Sequence, residues 1–256
     1  MAATDKLFHR IKRQVGKAIG DFNLIAEGDR IAVGISGGKD SYTLLYILEA
    51  LRKKAPVRFE LIPINIDPGF PGYHTAVIKE YLQQQNFNCI MTKTNSYQII
   101  EEKLRPGSSY CSFCARLRRG TLYAQAERLQ CNKIALGHHL DDFIETLLIN
   151  QFYSGTLAAM SAKLRSNNNK HTVIRPLVYV EESMIQGFSA QKNFPIVHCS
   201  CPVAKADEQK RQQTKQLIKK LSLEIPEIRN SLIHAIGNAQ PAHLLDRHLV
   251  KNNRAL

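Results

Sequence analysis

Short apolar runs alternate with segments of helical periodicity along most of the chain. Such runs are typical of buried parallel strands, and they lie at residues 31–35, 59–66, 88–92, 133–136 and 173–179. Between them, apolar residues recur at the spacing of an amphipathic helix, for example at Leu44, Leu45 and Leu48. This alternation predicts an α/β protein with a doubly wound parallel sheet of five strands.

The same pattern divides the chain into three parts. Residues 1–25 predict an N-terminal basic helix, because Leu7, Ile11 and Val15 repeat at helical spacing among lysines and arginines. Residues 26–198 hold the predicted α/β domain, and residues 199–256 predict a C-terminal helical region. Within the α/β part, residues 154–172 contain Ser-Gly and a run of asparagines, so we expect a mobile loop there.

The first predicted strand leads through a glycine turn, Ser36-Gly-Gly-Lys-Asp-Ser41, into a helix. Backbone N–H groups and the helix dipole meet at such a junction, which favours a phosphate. A Walker A loop does not fit, because Val33 stands where its first glycine is needed and Asp40 where its hydroxyl is needed. The turn instead resembles the PP-loop, S-G-G-x-D-S, of ATP pyrophosphatases, which have a Rossmann-like fold, release pyrophosphate and adenylate a substrate oxygen.

A second polar constellation, Gly137-His-His-Leu-Asp-Asp142, follows the fourth predicted strand. Asp141 and Asp142 begin the next helix, where they either cap it, hold Mg²⁺ or act on the substrate base. A metal site built on the two histidines is less favoured, because adjacent side chains point in different directions. Asp67 ends the second strand, at the sheet edge where α/β proteins bind ligands.

Together these motifs predict an ATP site and a catalytic set. In the PP-loop, serine and glycine donors surround the pyrophosphate, Lys39 adds positive charge, and Asp40 orients the loop or helps to hold Mg²⁺. Catalysis is assigned to Lys39, Asp40, Asp141 and Asp142. ATP is assigned to Gly34, Ile35, Ser36, Gly37, Gly38, Lys39, Asp40, Ser41, Asp67, Gly137 and His138.

Four of the six cysteines form two close pairs, Cys111 with Cys114 and Cys199 with Cys201. Four thiolates suit structural zinc, three suit a [4Fe–4S] cluster with one open iron, and Cys111 with Cys114 alone would suit a redox disulfide. Spacing does not choose between zinc and iron–sulfur, although the Cys201-Pro202 step favours iron–sulfur.

The charge balance favours a polyanionic partner, most simply nucleic acid. The net charge is +13 and the isoelectric point is near 9.5. No apolar run is long enough to cross a bilayer, and the N-terminus lacks the apolar stretch of a signal peptide, so we expect a cytoplasmic location. Clustered basic residues are the candidate RNA contacts: Arg13, Lys17, Arg116, Arg118, Arg119, Lys210 and Arg211.

Several motifs together resemble the tRNA 2-thiocytidine biosynthesis family, and the resemblance covers most of the chain. They are the PP-loop, Ala18 to Arg30, Pro68-Gly-Phe-Pro71, Cys111-x-x-Cys-x-Arg-Leu-Arg-Arg-Gly120, Gly137-His-His-x-Asp-Asp142 and Ile174-Arg-Pro-Leu177. The resemblance implies that sulfur replaces the C2 oxygen of cytidine at tRNA position 32 after adenylation of that oxygen.

The same resemblance implies a set of cofactors and partners. It implies ATP with Mg²⁺, a homodimer, the tRNA anticodon loop as substrate and a cysteine desulfurase as sulfur donor. It also implies a [4Fe–4S] cluster on three cysteines, which match Cys111, Cys114 and Cys201, with Cys199 as the alternative third ligand.

Two other interpretations remain open at this point. One is a different PP-loop enzyme that modifies tRNA, such as a 2-thiouridine or lysidine synthase. The other is an iron–sulfur protein that binds RNA without catalysis. Turnover of ATP to AMP in the presence of tRNA would separate an enzyme from the non-catalytic protein.

Overall fold

The computed structural model describes residues 3–105, 107–166, 169–197 and 209–245 of the chain. Its strands are β1 (Asp29–Ile35), β2 (Phe59–Asp67), β3 (Ile90–Lys93), β4 (Lys133–Ala135), β5 (Lys163–Arg165) and β6 (Thr172–Ile174). The helices of the first half are α1 (Ala3–Asp21), α2 (Lys39–Arg52), α3 (Thr75–Gln84), α4 (Ser96–Lys103) and α5 (Tyr110–Arg128). They are followed by α6 (Leu140–Ser154), α7 (Glu182–Lys192), α8 (Gln209–Glu224), α9 (Ile228–Gly237) and a short 3₁₀ turn, Pro241–His243.

The strands form one sheet in the order β3-β2-β1-β4-β6-β5. All neighbouring pairs are parallel except β5 with β6, which is antiparallel. The chain therefore builds outward from β1 through β2 to β3, and then returns to the other side of β1 with β4. That reversal lies between β1 and β4, and it is where the carboxyl ends of parallel strands leave a crevice for a ligand.

Both faces of the sheet are covered, as a doubly wound fold requires. Ala32, Ile64 and Ile66 lie on the face against which α5 packs with Leu122 and Ala126. Alternate residues of a strand point to opposite faces, so Ile31, Val33 and Ile35 point away from α5, and they too are buried. Helix α2 contacts β1 and β2, and it also packs with α1 and α7.

The predicted α/β fold class is confirmed, but the count of five strands is wrong by one. The additional strand, β5, lies in the segment predicted as a loop, residues 154–172. It has only three residues, Lys163, Leu164 and Arg165, and all three are exposed. An edge strand of this kind has no buried apolar run, so hydrophobic patterning could not reveal it.

Contacts divide the chain into two compact units. The first contains Met1–Asp142 and Ser161–Lys210 and holds the whole sheet; the second contains Phe143–Met160 and Arg211–Leu256. Buried side chains of the second unit include Phe143, Ile144, Leu147 and Ile218. In the described part of the chain, no helix is long and apolar enough to cross a membrane.

Candidate active site

The PP-loop motif connects β1 to α2, directly at the β1/β4 reversal. The Ser41 hydroxyl accepts a hydrogen bond from the backbone N–H of Ser36 at 3.2 Å and donates to the carbonyl of Gly38 at 2.9 Å. The Gly38 N–H donates to the Ser36 hydroxyl at 3.3 Å. Gly38 caps α2 without a side-chain hydrogen bond, so the N–H groups of the first helical turn remain suited to an anion.

Two glycines allow the chain to approach this loop closely. Gly37 has φ of +80°, and a Cβ there would lie 2.8 Å from Cδ1 of Ile78. A Cβ on Gly137 would lie 3.0 Å from the backbone carbonyl carbon of Asp40 and 3.2 Å from the backbone nitrogen of Ser41. The absence of a Cβ at Gly137 therefore lets the turn after β4 lie directly against the PP-loop backbone.

Lys39 lies between two carboxylates. Its Nζ is 3.2 Å from Oδ1 of Asp40 and 3.0 Å from Oε1 of Glu182, at the start of α7. Burial alone would lower the pKa of Lys39, but these two carboxylates outweigh it and raise the pKa above its usual value. The ammonium group therefore carries its charge at neutral pH. Sequence reasoning did not find Glu182, which lies 143 positions from Lys39 and matches no motif.

Asp141 and Asp142 both accept hydrogen bonds from backbone groups. Oδ2 of Asp142 accepts from the N–H of His139 at 3.0 Å, at the start of α6. Oδ2 of Asp141 accepts from the N–H of Glu182 at 2.7 Å and so joins the starts of α6 and α7. The capping interpretation thus fits Asp142. Asp141 instead links the starts of α6 and α7, a contact that the sequence could not show.

His139 is 3% exposed and lies among three carboxylates. Its Nε2 is 3.8 Å from Oδ1 of Asp40 and 3.5 Å from Oδ2 of Asp142, and its Nδ1 is 3.8 Å from Oδ2 of Asp141. The predicted catalytic carboxylates are therefore brought together beside Lys39. Among the described residues, no group of three or more His, Cys, Asp or Glu side chains is arranged to hold a metal ion.

A cavity of about 240 Å³ opens beside the PP-loop, on the face of the sheet covered by α5. Its polar lining includes His138 after β4 and two arginines of α5 that were predicted to contact RNA. A cavity with apolar walls and a few polar groups is typical of a small-molecule site. The lining residues are Gly34, Ile35, Ser36, Ile64, Ile66, Ala115, Arg118, Arg119, Leu122, Tyr123, Leu136 and His138.

Asp67, predicted to bind ATP, organises the turn that follows β2. Its Oδ1 accepts from the N–H of Gly69 at 2.8 Å, and its Oδ2 accepts from the hydroxyl of Thr75 at 2.5 Å. The same turn reaches the PP-loop through Tyr73, whose hydroxyl donates to the carbonyl of Ser36 at 3.2 Å. Asp67 is not among the residues that line the cavity.

Cys111 and Cys114 lie in the first turn of α5. Ser109 caps this helix by accepting a hydrogen bond from the N–H of Ser112 at 3.1 Å. Cys111 is half-buried, and Cys114 is buried in an apolar cluster with Phe70, Ile100 and Tyr110. Two thiols about one helical turn apart, near the positive end of a helix, have the spacing that suits a shared metal or cluster.

The third predicted ligand, Cys201, and its alternative, Cys199, lie outside the described residues. The last described residue before them is Val197, whose N–H donates to the carbonyl of Gly37 in the PP-loop at 3.0 Å.

The predicted RNA contacts fall into different environments. Arg13, Arg116 and Lys210 are exposed. Lys17 is exposed too, but its Nζ pairs with Asp21 at 2.6 Å and lies 4.6 Å from the ring centre of Tyr179. Nε of Arg211, in the second unit, lies 3.5 Å from Oε2 of the buried Glu145.

The fold and this site define a PP-loop protein, and a PP-loop domain family matches residues 7–200. The tRNA-cytidine(32) 2-sulfurtransferase of Syntrophotalea carbinolica is 60% identical over 96% of this chain and 95% of its own length. The enzyme of the same name from Geotalea uraniireducens is 57% identical over 96% of this chain and 97% of its own length. The chain belongs to the tRNA-cytidine(32) 2-sulfurtransferase family.

A solved structure supports the fold. The U34-tRNA thiolase of Methanococcus maripaludis, solved with its [4Fe–4S] cluster, superposes with a TM-score of 0.75. The match covers 91% of this chain and 78% of that chain, at 21% sequence identity.

Proposed function

We propose that this protein is an ATP-dependent enzyme that replaces the C2 oxygen of cytidine at position 32 of tRNA with sulfur. The observation that carries the proposal is the position of α5. The helix begins with Cys111 and Cys114, and its next turns line the cavity beside the PP-loop through Ala115, Arg118 and Leu122. The cavity where the oxygen would be activated and the two cysteines that would ligate a cluster are therefore both formed in part by α5.

The first half of the reaction uses the PP-loop. The cytidine C2 oxygen attacks the α-phosphorus of ATP, the bond from that phosphorus to the bridging oxygen breaks, and pyrophosphate leaves. The N–H groups at the start of α2, with the Ser36 and Ser41 hydroxyls, hold the departing phosphates. The Lys39 ammonium neutralises developing charge, for which it exchanges its contact with Glu182 for a phosphate oxygen. Mg²⁺ on the phosphates, with Asp40 as a contact, would add to this effect.

The second half exchanges oxygen for sulfur. A sulfur nucleophile adds at C2, the C2–O bond breaks, and AMP leaves with the oxygen. A [4Fe–4S] cluster held by cysteines of this chain would supply iron chemistry for handling that sulfur. Cys111 and Cys114 fit two of its three protein ligands, since they lie one turn apart at the start of α5. Cys201 is the proposed third ligand, with Cys199 as the alternative.

Arg118 and Arg119 are proposed to act where the cavity meets the RNA. Both line the cavity, so a nucleotide bound there would meet guanidinium groups from two successive residues of α5. Arg13, Lys17, Arg116, Lys210 and Arg211 are proposed as phosphate contacts along the rest of the tRNA. A base of the anticodon loop leaves its stack readily, which suits a site within a cavity.

We further propose that the enzyme works in the cytoplasm as a homodimer and receives its sulfur from a cysteine desulfurase. The homodimer and the sulfur donor rest on the family resemblance and extend the assignment of the site.

Product analysis tests the proposed activity. Anaerobically purified protein, incubated with unmodified tRNA, ATP, Mg²⁺ and sulfide, should release AMP and pyrophosphate in step with 2-thiocytidine. Ser41→Ala, which removes the hydroxyl that closes the PP-loop, should slow AMP release roughly 10- to 100-fold. Release of ADP, or consumption of ATP without change in the tRNA, would overturn the proposal.

Metal analysis tests the cluster separately. The same preparation should contain iron and acid-labile sulfide near four of each per chain, and Cys114→Ser should lose both. A matched control is Cys131→Ser, because Cys131 is buried against the α5 face of the sheet and not near the start of α5. Stoichiometric zinc without iron in the unsubstituted protein would contradict the cluster.

A further inference from the structure

His138, on the wall of the cavity, is held by Arg175, the residue that directly follows β6. Nε of Arg175 donates a hydrogen bond to Nδ1 of His138 at 3.1 Å. Arg175 is itself fixed on two sides: its Nη1 donates to the carbonyl of Ser161 at 2.6 Å, and its backbone N–H donates to the carbonyl of Ala162 at 2.9 Å. Because β4 and β6 are adjacent in the sheet, the residues that follow them meet although 37 positions separate them.

The chemistry of the two side chains decides where the histidine proton lies. A guanidinium has only N–H donors and remains protonated throughout the range in which proteins are folded. Nδ1 of His138 must therefore offer a lone pair to Arg175. A neutral imidazole that accepts at Nδ1 carries its single proton on Nε2, and an imidazolium, which has protons on both nitrogens, cannot keep this bond.

We propose that Arg175 is a positioning residue, which keeps His138 neutral with its proton on Nε2 and so places a hydrogen-bond donor on the cavity wall. The inference rests on the proposed function only for the identity of the ligand, an acceptor atom of the nucleotide that fills the cavity. His138 then binds that atom without acting as a general base or as a charged acid.

The electrostatic surroundings of Arg175 agree with a fixed cation beside a neutral imidazole. Burial lowers the pKa of Arg175, Arg119 on α5 lowers it further, and Tyr123 and Asp142 oppose these effects. The guanidinium still remains charged near neutral pH, since its unperturbed pKa lies above about 12. A proton added to Nδ1 of His138 would meet the guanidinium of Arg175 in direct contact.

Nuclear magnetic resonance tests the tautomer directly. The full-length protein is labelled with ¹⁵N-histidine, and the His138 signals among the nine histidines are assigned by comparison with His138→Gln. Two-bond proton–nitrogen correlations should show the proton on Nε2. A proton on Nδ1, or protons on both nitrogens at neutral pH, would overturn the proposal.

A substitution at Arg175 provides the second test. In Arg175→Met, His138 should populate both tautomers, because no donor then fixes the lone pair of Nδ1. Arg165→Met removes the same charge from the exposed strand β5 and should leave the His138 signals unchanged. If Arg175→Met does not fold, the tautomer of the unsubstituted protein still decides, because that measurement does not require the variant.

Calorimetric titration with ATP separates positioning from direct contact. His138→Gln and Arg175→Met should each weaken ATP binding by roughly 5- to 10-fold, and the double variant should be no weaker than the singles. Losses that multiply in the double variant would mean that Arg175 contacts the nucleotide itself, and the positioning role would be wrong. The tautomer measurement uses neither tRNA nor turnover, so it stands even if the proposed sulfur transfer fails.

Discussion

Gly137→Ala is the substitution that most directly tests how the PP-loop is positioned. The added Cβ would lie 3.0 Å from the carbonyl carbon of Asp40, 3.1 Å from its oxygen and 3.2 Å from the nitrogen of Ser41. All three atoms belong to the backbone of the loop or of the first turn of α2. No side chain can rotate away, so either this backbone or the segment after β4 has to move.

The size of the effect follows from these distances. Carbon contacts are most favourable near 3.5–4.0 Å, so the loop must shift by about 0.5 Å. Overpacking of this kind typically costs about 1–3 kcal/mol, which for a chain of this size corresponds to a melting temperature lower by roughly 2–10 °C. Since a misplacement of about 1 Å can cost 100-fold in rate, we expect kcat/KM for AMP formation to fall about 10-fold.

The assay compares AMP formation, ATP affinity and thermal unfolding in Gly137→Ala and a control. Gly20→Ala is the control, because Gly20 is exposed in α1 and a Cβ there meets nothing within 4 Å. It should keep full activity and gain roughly 0.5–1 kcal/mol of stability. If Gly137→Ala retains the unsubstituted kcat/KM and ATP affinity, close contact between the β4 turn and the PP-loop does not position the loop.

Four other predictions concern charged groups. Nζ of Lys133 lies 2.6 Å from Oδ2 of the buried Asp29, so Lys133→Met should cost roughly 3 kcal/mol in urea unfolding at pH 7; a loss below 1 kcal/mol would contradict this. Burial alone would raise the pKa of Asp29, but hydrogen bonds from Lys133 and two further donors lower it. The contribution of Asp29 to the free energy of unfolding should therefore be complete above the ordinary aspartate pKa near 4. It should be lost as the pH falls through the lower pKa of the folded state, which acid titration of unfolding can follow. Arg211→Gln should weaken both tRNA binding and unfolding stability, the latter by about 1 kcal/mol because Arg211 faces the buried Glu145, whereas Arg13→Gln, at an exposed position of α1, should weaken tRNA binding alone. The tRNA affinity itself should fall steeply with salt, and a flat dependence would contradict a phosphate-binding surface.

The parts of the fold that the sequence predicted are those that local physics determines. The run from Ile31 to Ile35 is long and apolar enough to be a buried strand, and Gly37 takes the positive φ that only glycine adopts readily. The PP-loop turn and α2 follow from such local features. The cysteine pair at the start of α5 is likewise visible as spacing followed by a helical segment.

The remaining features depend on tertiary contacts that leave no local pattern. Strand β5 is stabilised by pairing with β6 rather than by burial, so it has no apolar signature. Arg118 and Arg119 resemble a solvent-facing basic cluster in the sequence, yet their helix turns them toward the cavity. Glu182 and Arg175 reach the site from elements far along the chain, and no motif spacing links them to Lys39 or His138.

Nucleoside mass spectrometry of tRNA from cells that lack this protein tests the central claim most directly. We predict that 2-thiocytidine disappears and that position 32 of the affected tRNAs carries unmodified cytidine. A plasmid copy of the unsubstituted chain should restore the modification, whereas Cys114→Ser should not restore it. Persistence of 2-thiocytidine at position 32 in the deletion strain would contradict the proposed function.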